Sequence, residues 1–535
     1  MIHNHNSLPP IDPEHSVRLD VHTWSEHKEV NALRDEVWKE IPTQLQDALL
    51  GKSNNKGTPP QRILKVLLIH LYVTWLDDPT LCTGVARSDG AWAPNSRYNA
   101  ISIPKKINTL IDQLVELGFL DFIGGRNDRT WGGRYSHTSR IRPTPKLTAL
   151  FLDCTATIFD FHKHKDTETI ILNEFDTDRE GNIIKTGRIR RKKKTKLVQY
   201  RDNKSTKQMR ETVRAYNNLL LNTYVDVSSL EQPFVTRTRS DGTPIKVQIN
   251  QQAKFVRRVF SRGNWKCNGR WYGGFWQLIG EEYRYDIRMD DQPTIEVDYK
   301  GLHPAILAAR KGNHFTGDRY NLGEHLIPHI TPKQQRDAVK LLVLTAINAT
   351  TRTQAYQAYV DAAEVKLKHT ELELLFNAFL ANNPYLREDV CADKGVDLMY
   401  LDSQITEQII NSFLQKEKPI LCVHDSYVVQ IHDTEFLHQQ MQHATEKVLG
   451  SKLPFDQDMY SYNQIRTLLD DDLNTIPYQG LFDLIPTPER TDRYLTMSSG
   501  SKKSPFSSSV ICGLFIPCFA NSFTAFVLKA WSLAI

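Results

Sequence analysis

Two isolated acids stand where short apolar segments end. In PTIEVDYKGLHPAILAAR (293–310) alternating apolar residues predict a buried strand that ends at Asp298, followed by a turn and a helix. In ILCVHDSYVVQI (420–431) two apolar runs predict a β-hairpin with Asp425 at its tip. Carboxylates at strand ends can hold divalent cations at the mouth of a site. Each acid alone is also explained as an ordinary turn or cap residue.

A predicted helix with a cationic face lies between the two acids. In ITPKQQRDAVKLLVLTAINAT (330–350), Thr331 is a natural N-cap and Pro332 suits the first turn. Four side chains recur at every fourth residue and share one face, namely Arg336, Lys340, Leu344 and Asn348. Two cations followed by an apolar end suit a triphosphate with its sugar and base beyond it. The solvated stripe of an amphipathic helix is the alternative.

The order acid, cationic helix, acid is what phosphoryl transfer with two metals requires. Two Mg²⁺ ions roughly 3.5–4 Å apart activate the attacking 3′-hydroxyl and stabilise the leaving pyrophosphate. Arginine and lysine neutralise the charge that develops on the triphosphate. The sequence therefore predicts a nucleotidyl-transfer site on Asp298 and Asp425, with Mg²⁺ as the cofactor and Mn²⁺ as a substitute.

Three further elements must position these residues. A helix with Leu401, Ile405, Ile409 and Phe413 on one face is predicted before the hairpin, and another over about 434–449 after it. Upstream, arginines alternate with aromatic residues in 257–288, a pattern typical of surfaces that stack bases. The predicted nucleic-acid contacts are Arg257, Arg258, Arg270, Trp271, Arg284 and His424. An aromatic-rich junction between subdomains is the alternative explanation of this stretch.

The N-terminal part predicts a second nucleic-acid-binding module. Apolar residues 63–76 predict one helix, and a second begins with Ser102 as its cap and stops at Gly118. A hairpin with the polar tip GGRNDRTWGGR follows, so residues 59–150 resemble a winged helix facing DNA or RNA. A winged-helix module that contacts protein is the alternative. The basic run RIRRKKKTK (188–196) is either solvated surface or a contact to a phosphate backbone.

The whole chain has the composition of a soluble globular protein with two to four domains. Its 535 residues are 40% hydrophobic and 24% charged, with a net charge of +5. The seven cysteines form no CxxC pair, which disfavours a zinc ribbon or a disulfide framework and fits a reducing cytoplasm. No secretory signal is recognised at the N-terminus. We expect a cytoplasmic protein without a membrane partner, although the apolar stretch 510–535 leaves a tail anchor or an aberrant extension open.

The three central segments resemble motifs A, B and C of family A DNA polymerases and the related single-subunit, phage-type RNA polymerases. Motif A matches Asp298, Tyr299 and Leu302, and motif B matches Arg336 and Lys340. Motif C matches the His424-Asp425 dipeptide. The resemblance covers about residues 250 to 450, and the order and spacing of the motifs are more specific than any one of them.

The resemblance implies a role for each matched residue. Asp298 and Asp425 bind both metals, with the backbone carbonyl of Tyr299 as a further ligand. Lys340 contacts the triphosphate and is a candidate acid for the pyrophosphate, and Arg336 holds the γ-phosphate end. The implied partners are a DNA or RNA primer–template and nucleoside triphosphates.

Three departures from the DNA polymerases concern the choice of sugar. His303 stands where those enzymes have the Glu that excludes ribonucleotides, so we count it among the nucleotide-binding residues with Tyr299. Leu344 and Asn348 replace the aromatic residue and tyrosine that end the motif B helix. Motif C continues with Ser426, as in the phage-type RNA polymerases. DNA and RNA products both stay open.

We therefore expect an α/β right-hand polymerase palm and fingers with an N-terminal winged-helix module. The five predicted parts are a polar N-terminal segment and linker (1–58), the winged-helix-like module (59–150), a basic helical, thumb-like or connecting region (151–250), palm and fingers (251–485) and a Ser-rich, apolar tail (486–535). A family A-like DNA polymerase without proofreading is the first interpretation, since no exonuclease acid cluster is recognised. A single-subunit RNA polymerase or primase-like enzyme is the second, and a replication initiator with an inactive palm is the third.

Overall fold

The computed structural model describes residues 10–50, 58–88, 91–126, 137–157, 160–178, 180–183, 185–186, 192–230, 232–238, 244–290, 292–313 and 317–458. Five predicted features lie wholly or partly outside these residues. They are the polar N-terminal segment and linker at 1–9 and 51–57, the hairpin tip at 127–136, the start of the basic run at 188–191, the end of the predicted palm at 459–485 and the tail at 486–535. Within the described part of the chain, no helix is long and apolar enough to cross a membrane.

The first unit combines helices with short strands. Its elements are β1 (Ser16–Arg18), β2 (Thr23–Trp24), α1 (Lys28–Glu40), α2 (Thr43–Leu50), α3 (Pro60–Asp77), β3 (Cys82–Val85), α4 (Lys106–Glu116), β4 (Leu120–Ile123), β5 (Ser139–Pro143), α5 (Pro145–Leu152) and β6 (His162–Lys163). A four-stranded sheet has the order β1-β3-β5-β4, and β2 pairs with β6. The apolar α3 is buried along residues 63–73, and one hydrophobic core extends from Leu19 to Phe161.

The second unit begins with strands around one long helix. Its first elements are β7 (Ile170–Phe175), β8 (Lys185–Thr186), β9 (Lys192–Lys193), β10 (Thr195–Leu197), α6 (Lys204–Leu221), β11 (Val225–Val227), β12 (Phe234–Thr238), β13 (Pro244–Gln248), β14 (Val256–Ser261) and β15 (Asn264–Gly273). A four-stranded sheet has the order β10-β7-β14-β15, while β12–β13 and β8–β9 form separate hairpins.

The remaining elements surround the predicted site. They are α7 (Glu281–Arg284), β16 (Ile287–Met289), β17 (Gln292–Tyr299), α8 (Leu302–Arg310), α9 (Pro332–Asn348), α10 (Arg352–Ala362), α11 (His369–Asn382), α12 (Gly395–Gln415), β18 (Ile420–Val423), β19 (Ser426–Gln430), α13 (Thr434–Leu449) and β20 (Phe455–Asp458). A six-stranded sheet has the order β11-β16-β17-β19-β18, and β20 pairs with β17. Helix α12 packs against β15, α13, α8 and α6 and so joins the sheets into one hydrophobic core from Ile170 to Leu453.

The structure differs from three expectations. Helices α1 and α2 occupy the segment predicted to be polar linker, and Val30, Leu33 and Val37 join the first core because they recur at helical spacing. Helix α6 and β7 share the core of the site elements rather than forming a separate region. Ser102 has a φ of 54° and is not the cap of α4, which begins at Lys106. Gly118, with a φ of 74°, does follow that helix as predicted. The fold is mixed α/β, and the palm, fingers and winged-helix assignments stay predictions.

Candidate functional site

The two predicted acids lie on neighbouring strands at the same end of the sheet. Asp298 on β17 is directly opposite Ser426 on β19, and Asp425 immediately precedes that residue. The Tyr299 N–H donates to the backbone carbonyl of Asp425 at 3.2 Å. The Asp298 side chain is exposed and that of Asp425 is half-buried. The hairpin therefore places two acidic residues that are 127 positions apart in the sequence on neighbouring strand ends.

The hairpin that carries Asp425 is fixed to its neighbouring strand. Its turn begins at His424, which has a φ of 59°, a conformation few non-glycine residues adopt. The Ser426 hydroxyl donates to Glu296 of β17. Arg284 donates to both carboxylate oxygens of Glu296, at 2.8 and 3.1 Å. Ser426 and Arg284 thus hold the strand pair that presents the acids.

The motif A acid is followed by a turn that needs glycine. Gly301 has a φ of 54° and precedes α8. A Cβ at this position would lie 2.8 Å from the hydroxyl oxygen of Tyr320. Glycine is required here both for the left-handed backbone and for the close approach of that side chain.

Helix α9 presents the predicted cationic face to solvent. Thr331 and Gln334 form a capping box at its start. Lys340 and Asn348 are exposed, and Arg336 and Leu344 are half-buried. The opposite face is buried through Ala338, Val339, Leu342, Val343, Ala346 and Ile347. Leu344 and Asn348 line a cavity of about 430 Å³ against α10.

A buried ion pair lies near Asp425, and its arginine also contacts a histidine. Arg270 on β15 forms a salt bridge with Asp402 of α12. The Nη2 atom of Arg270 lies 3.2 Å from the Nε2 atom of His303. Asp402 is fully buried, and His303 is 8% exposed. A guanidinium can only donate, so the Nε2 of His303 accepts and its ring proton lies on Nδ1.

Burial keeps both site histidines neutral. It lowers the pKa of His303 to about 4, the Arg270 charge lowers it further, and the Asp425 charge opposes the shift. Burial and then the Arg270 charge likewise lower the pKa of His424 to about 4, and the Asp425 charge again opposes the shift. Burial raises the pKa of Asp402 to about 7, while the Arg270 charge opposes that rise. Arg270, Asp402, His303 and His424 therefore all lie within electrostatic reach of Asp425.

Two of the predicted nucleic-acid contacts are buried in the core, and two more are held in ion pairs. Arg258 and Trp271 face each other across β14 and β15 and are 0% and 2% exposed, so neither side chain reaches a ligand surface. Arg258 bonds to Glu407 at 2.9 Å. Arg284 is engaged by Glu296, and Arg270 by Asp402.

Three other predicted site residues are buried or half-buried. The Tyr299 side chain is buried and donates to the Met441 carbonyl at 2.7 Å, so only its backbone carbonyl stays a predicted ligand. Half-buried Arg257 packs over the Phe255 ring. Half-buried His424 packs edge-on against Tyr272.

Two residues beside the acids were absent from the sequence predictions. Asp402 could have been found, because it is four residues after Leu398 and seven before Ile409 and so falls on the buried face of its helix. A charged residue on such a face needs a partner. Tyr320 lies in the irregular stretch between α8 and α9, and no sequence periodicity marks it.

The donor set fits magnesium. Two carboxylates and a backbone carbonyl are hard oxygen donors, and Mg²⁺ is commonly held by one or two carboxylates together with substrate phosphates and water. Within the described ranges, no group of three or more His, Cys, Asp or Glu side chains could hold a metal ion. The five described cysteines are free, so no disulfide constrains the site.

The comparisons with known proteins give distant structural likenesses. No protein-family model matches the sequence, and no curated protein matches it. Among solved structures, the chain is similar to the POL domain of Pol1 from M. smegmatis in complex with DNA primer-template and dNTP, with a TM-score of 0.26 and 13% sequence identity. The alignment covers 47% of this chain and 50% of that chain, so the match spans half the length of that structure. No family membership follows from a likeness of this size.

Proposed function

We propose that this protein is a template-directed nucleotidyltransferase, and DNA synthesis is our first assignment. The observation that carries the proposal is the register of β17 and β19, which sets Asp298 opposite Ser426 and next to Asp425. Two acids on neighbouring strand ends, together with a cationic face of α9 that reaches solvent, support phosphoryl transfer more than a turn or cap role.

The proposed role of each residue follows from its chemistry. Asp298 and Asp425 would hold two Mg²⁺ ions, which stabilise the charge of the attacking and leaving oxygens. Arg336 and Lys340 bind the triphosphate, since cations on an exposed face stabilise the charge that shifts toward pyrophosphate. Leu344 and Asn348 lie one and two turns further along α9 and suit the sugar and base.

RNA synthesis is the second candidate. Position 303 holds a neutral histidine fixed by Arg270, whereas the DNA enzymes that the motifs resemble have an acidic residue there. If the histidine sets the sugar preference, His303→Glu should raise the preference for deoxynucleotides over ribonucleotides, measured as the ratio of kcat/KM values.

Primer extension with purified protein, Mg²⁺ and either all dNTPs or all rNTPs tests the proposal. We expect Asp425→Ala and Asp298→Ala to lose roughly 10³-fold in rate, since metal-bound charge stabilisation contributes several kcal/mol. Asp361→Ala, an exposed acid of α10, is the matched control and should extend normally. Incorporation of dNTPs or of rNTPs identifies the product as DNA or RNA.

The opposite result is equally informative. If the wild-type protein incorporates nothing from either pool, on primed and unprimed templates, the polymerase proposal is overturned. A DNA-binding replication initiator with an inactive palm would then be the better assignment.

A further inference from the structure

The hydroxyl group of Tyr320 lies buried where the three predicted motifs meet. Its residue is 6% exposed, and the hydroxyl has no hydrogen-bond partner among the described residues. Buried tyrosine hydroxyls are normally bonded, because an unmade hydrogen bond in the interior costs stability. The proposed roles of Asp298, Asp425 and Arg336 make no use of this group.

Motifs A and B each contribute one neighbour of this side chain, and an acid of motif C acts on it electrostatically. From motif A, a Cβ at Gly301 would lie 2.8 Å from the hydroxyl oxygen. From motif B, the Arg336 guanidinium carbon lies 6.0 Å from the centre of the tyrosine ring. From motif C, the Asp425 charge acts on the phenol. The tyrosine therefore lies between the turn that follows Asp298 and the start of the cationic helix.

The phenol is a neutral hydrogen-bond donor at physiological pH. Burial raises the pKa of Tyr320 to about 12, with Asp318 and Asp425 raising it and Arg319 and Arg336 lowering it. A neutral O–H beside a guanidinium offers two donors to one ligand. Oxyanions such as phosphate accept hydrogen bonds of this charge-assisted kind.

A cavity joins the tyrosine to the cationic helix. It has a volume of about 220 Å³ and is lined by residues 320–325 together with Pro332, Gln335 and Arg336. Gln335 is already used, because its amide bonds to the backbone of Glu324, Leu326 and Ile327. Tyr320 and Arg336 are two side chains of the cavity wall that can donate to an anion.

We propose that Tyr320 is a substrate-binding residue whose hydroxyl donates to a phosphate oxygen of the incoming nucleoside triphosphate, beside Arg336. The inference rests on the proposed nucleotidyl transfer and adds to it a contact from outside the three motifs. The bond forms only when the nucleotide is bound, which accounts for the unpartnered hydroxyl.

The test compares Tyr320→Phe with Tyr385→Phe. Phenylalanine keeps the ring and removes only the oxygen. Tyr385 is the matched control because its hydroxyl already bonds to Asn383 at 2.8 Å. Extension rates over a nucleotide concentration series give KM and kcat, and isothermal titration of the same Mg²⁺-nucleotide gives its affinity without catalysis. For Tyr320→Phe we expect a roughly 10-fold higher KM, a kcat within about 2-fold, and a melting temperature equal to or above that of the wild type.

The outcomes separate the two proposals. If wild-type protein extends primers and Tyr320→Phe matches it in KM and affinity, the tyrosine inference is overturned while the polymerase proposal stands. A fall in kcat at unchanged KM and affinity also overturns the inference. The proposed hydrogen bond is made to the bound nucleotide, so its loss should change KM and affinity. If wild-type protein binds nucleotides without extending primers, a roughly 10-fold affinity loss in Tyr320→Phe still supports the inference. Binding of no nucleotide overturns both.

Discussion

Arg336 is held by carboxylates in the absence of substrate. Its Nε lies 2.5 Å from Asp318, and its Nη1 lies 3.2 Å from Asp337. The side chains of Arg336 and Asp318 are 43% and 36% exposed, and ion pairs at such exposure contribute at most about 1 kcal/mol. A triphosphate can therefore displace Asp318, at a small cost in binding.

Removing that competitor should tighten nucleotide binding. We expect Asp318→Asn to lower the nucleotide KM by about 2- to 5-fold. The ion pair between Asp318 and Arg336, which contributes up to about 1 kcal/mol, would no longer compete with the nucleotide. The melting temperature should fall only slightly, because the same ion pair contributes at most about 1 kcal/mol to the free protein. Steady-state extension measures the effect, with Asp361→Asn as a surface control. A higher KM would show instead that Asp318 orients Arg336 for the phosphate.

Substitution of Arg284 distinguishes a structural role of this residue from a nucleic-acid-binding role. Glu296 is 8% exposed and depends on Arg284 for its charge partner. We expect Arg284→Gln to cost about 3 kcal/mol, because removing one partner leaves a buried charge uncompensated. Denaturant unfolding measures this cost. The salt dependence of DNA or RNA affinity should keep its slope, whereas a lost phosphate contact would reduce that slope by about one unit.

At the scale of elements, local sequence signals sufficed for the parts that present the site. Thr331 and Pro332 with apolar residues at helical spacing predicted α9, and the structure begins that helix at Pro332. The apolar runs on either side of His424 and Asp425 predicted the β18–β19 hairpin. These features depend on neighbours within a few residues, which a single sequence displays.

Burial of polar and aromatic side chains could not be predicted in the same way. The arginines and aromatic residues of β14 and β15 have the composition of a base-stacking surface, yet Arg258 and Trp271 point into the core. Arg258 is satisfied by Glu407, which is 149 residues away. Partners at that separation follow from the tertiary fold, so no local pattern shows which strand face is buried.

The turn between β17 and α8 couples Gly301 to Tyr320. We expect Gly301→Ala to cost about 1–3 kcal/mol, since its φ of 54° disfavours alanine and the new methyl group would meet the tyrosine oxygen. Adding Tyr320→Phe should restore part of that loss, by about 1 kcal/mol, because the oxygen is gone. A double-mutant cycle by chemical denaturation measures the coupling. Strictly additive effects would mean that backbone strain alone sets the cost.

At the scale of the whole molecule, a charged network links the two hydrophobic cores. Glu168, before β7, accepts from Arg97 of the first unit at 2.8 and 2.9 Å. It also accepts from Arg210 of α6 at 3.0 and 3.1 Å. Both arginines reach Asp202 as well, at 2.9 and 2.7 Å. Because Glu168 lies between two arginines, it is the member whose loss disturbs the junction most.

Glu168→Gln should weaken this junction in a pH-dependent way. Burial raises the pKa of Glu168, but the bonds from Arg210, Ile170 and Arg97 outweigh it and hold the pKa below 4.5. The unfolded chain therefore binds the proton more readily, so the stability that Glu168 contributes is fully present above pH 4.5 and is lost as the pH falls from there through the lower pKa of the folded state. We expect the variant to lose about 3 kcal/mol at neutral pH, because the two arginines are left with an uncharged partner, and to lose about 1 kcal/mol less than that at about pH 3.5. Denaturant unfolding of both proteins at the two pH values measures the difference, with Glu180→Gln, an exposed acid, as the control. An equal loss at both pH values would trace the effect to packing of the side chain, and the charged network would then not be what joins the two units.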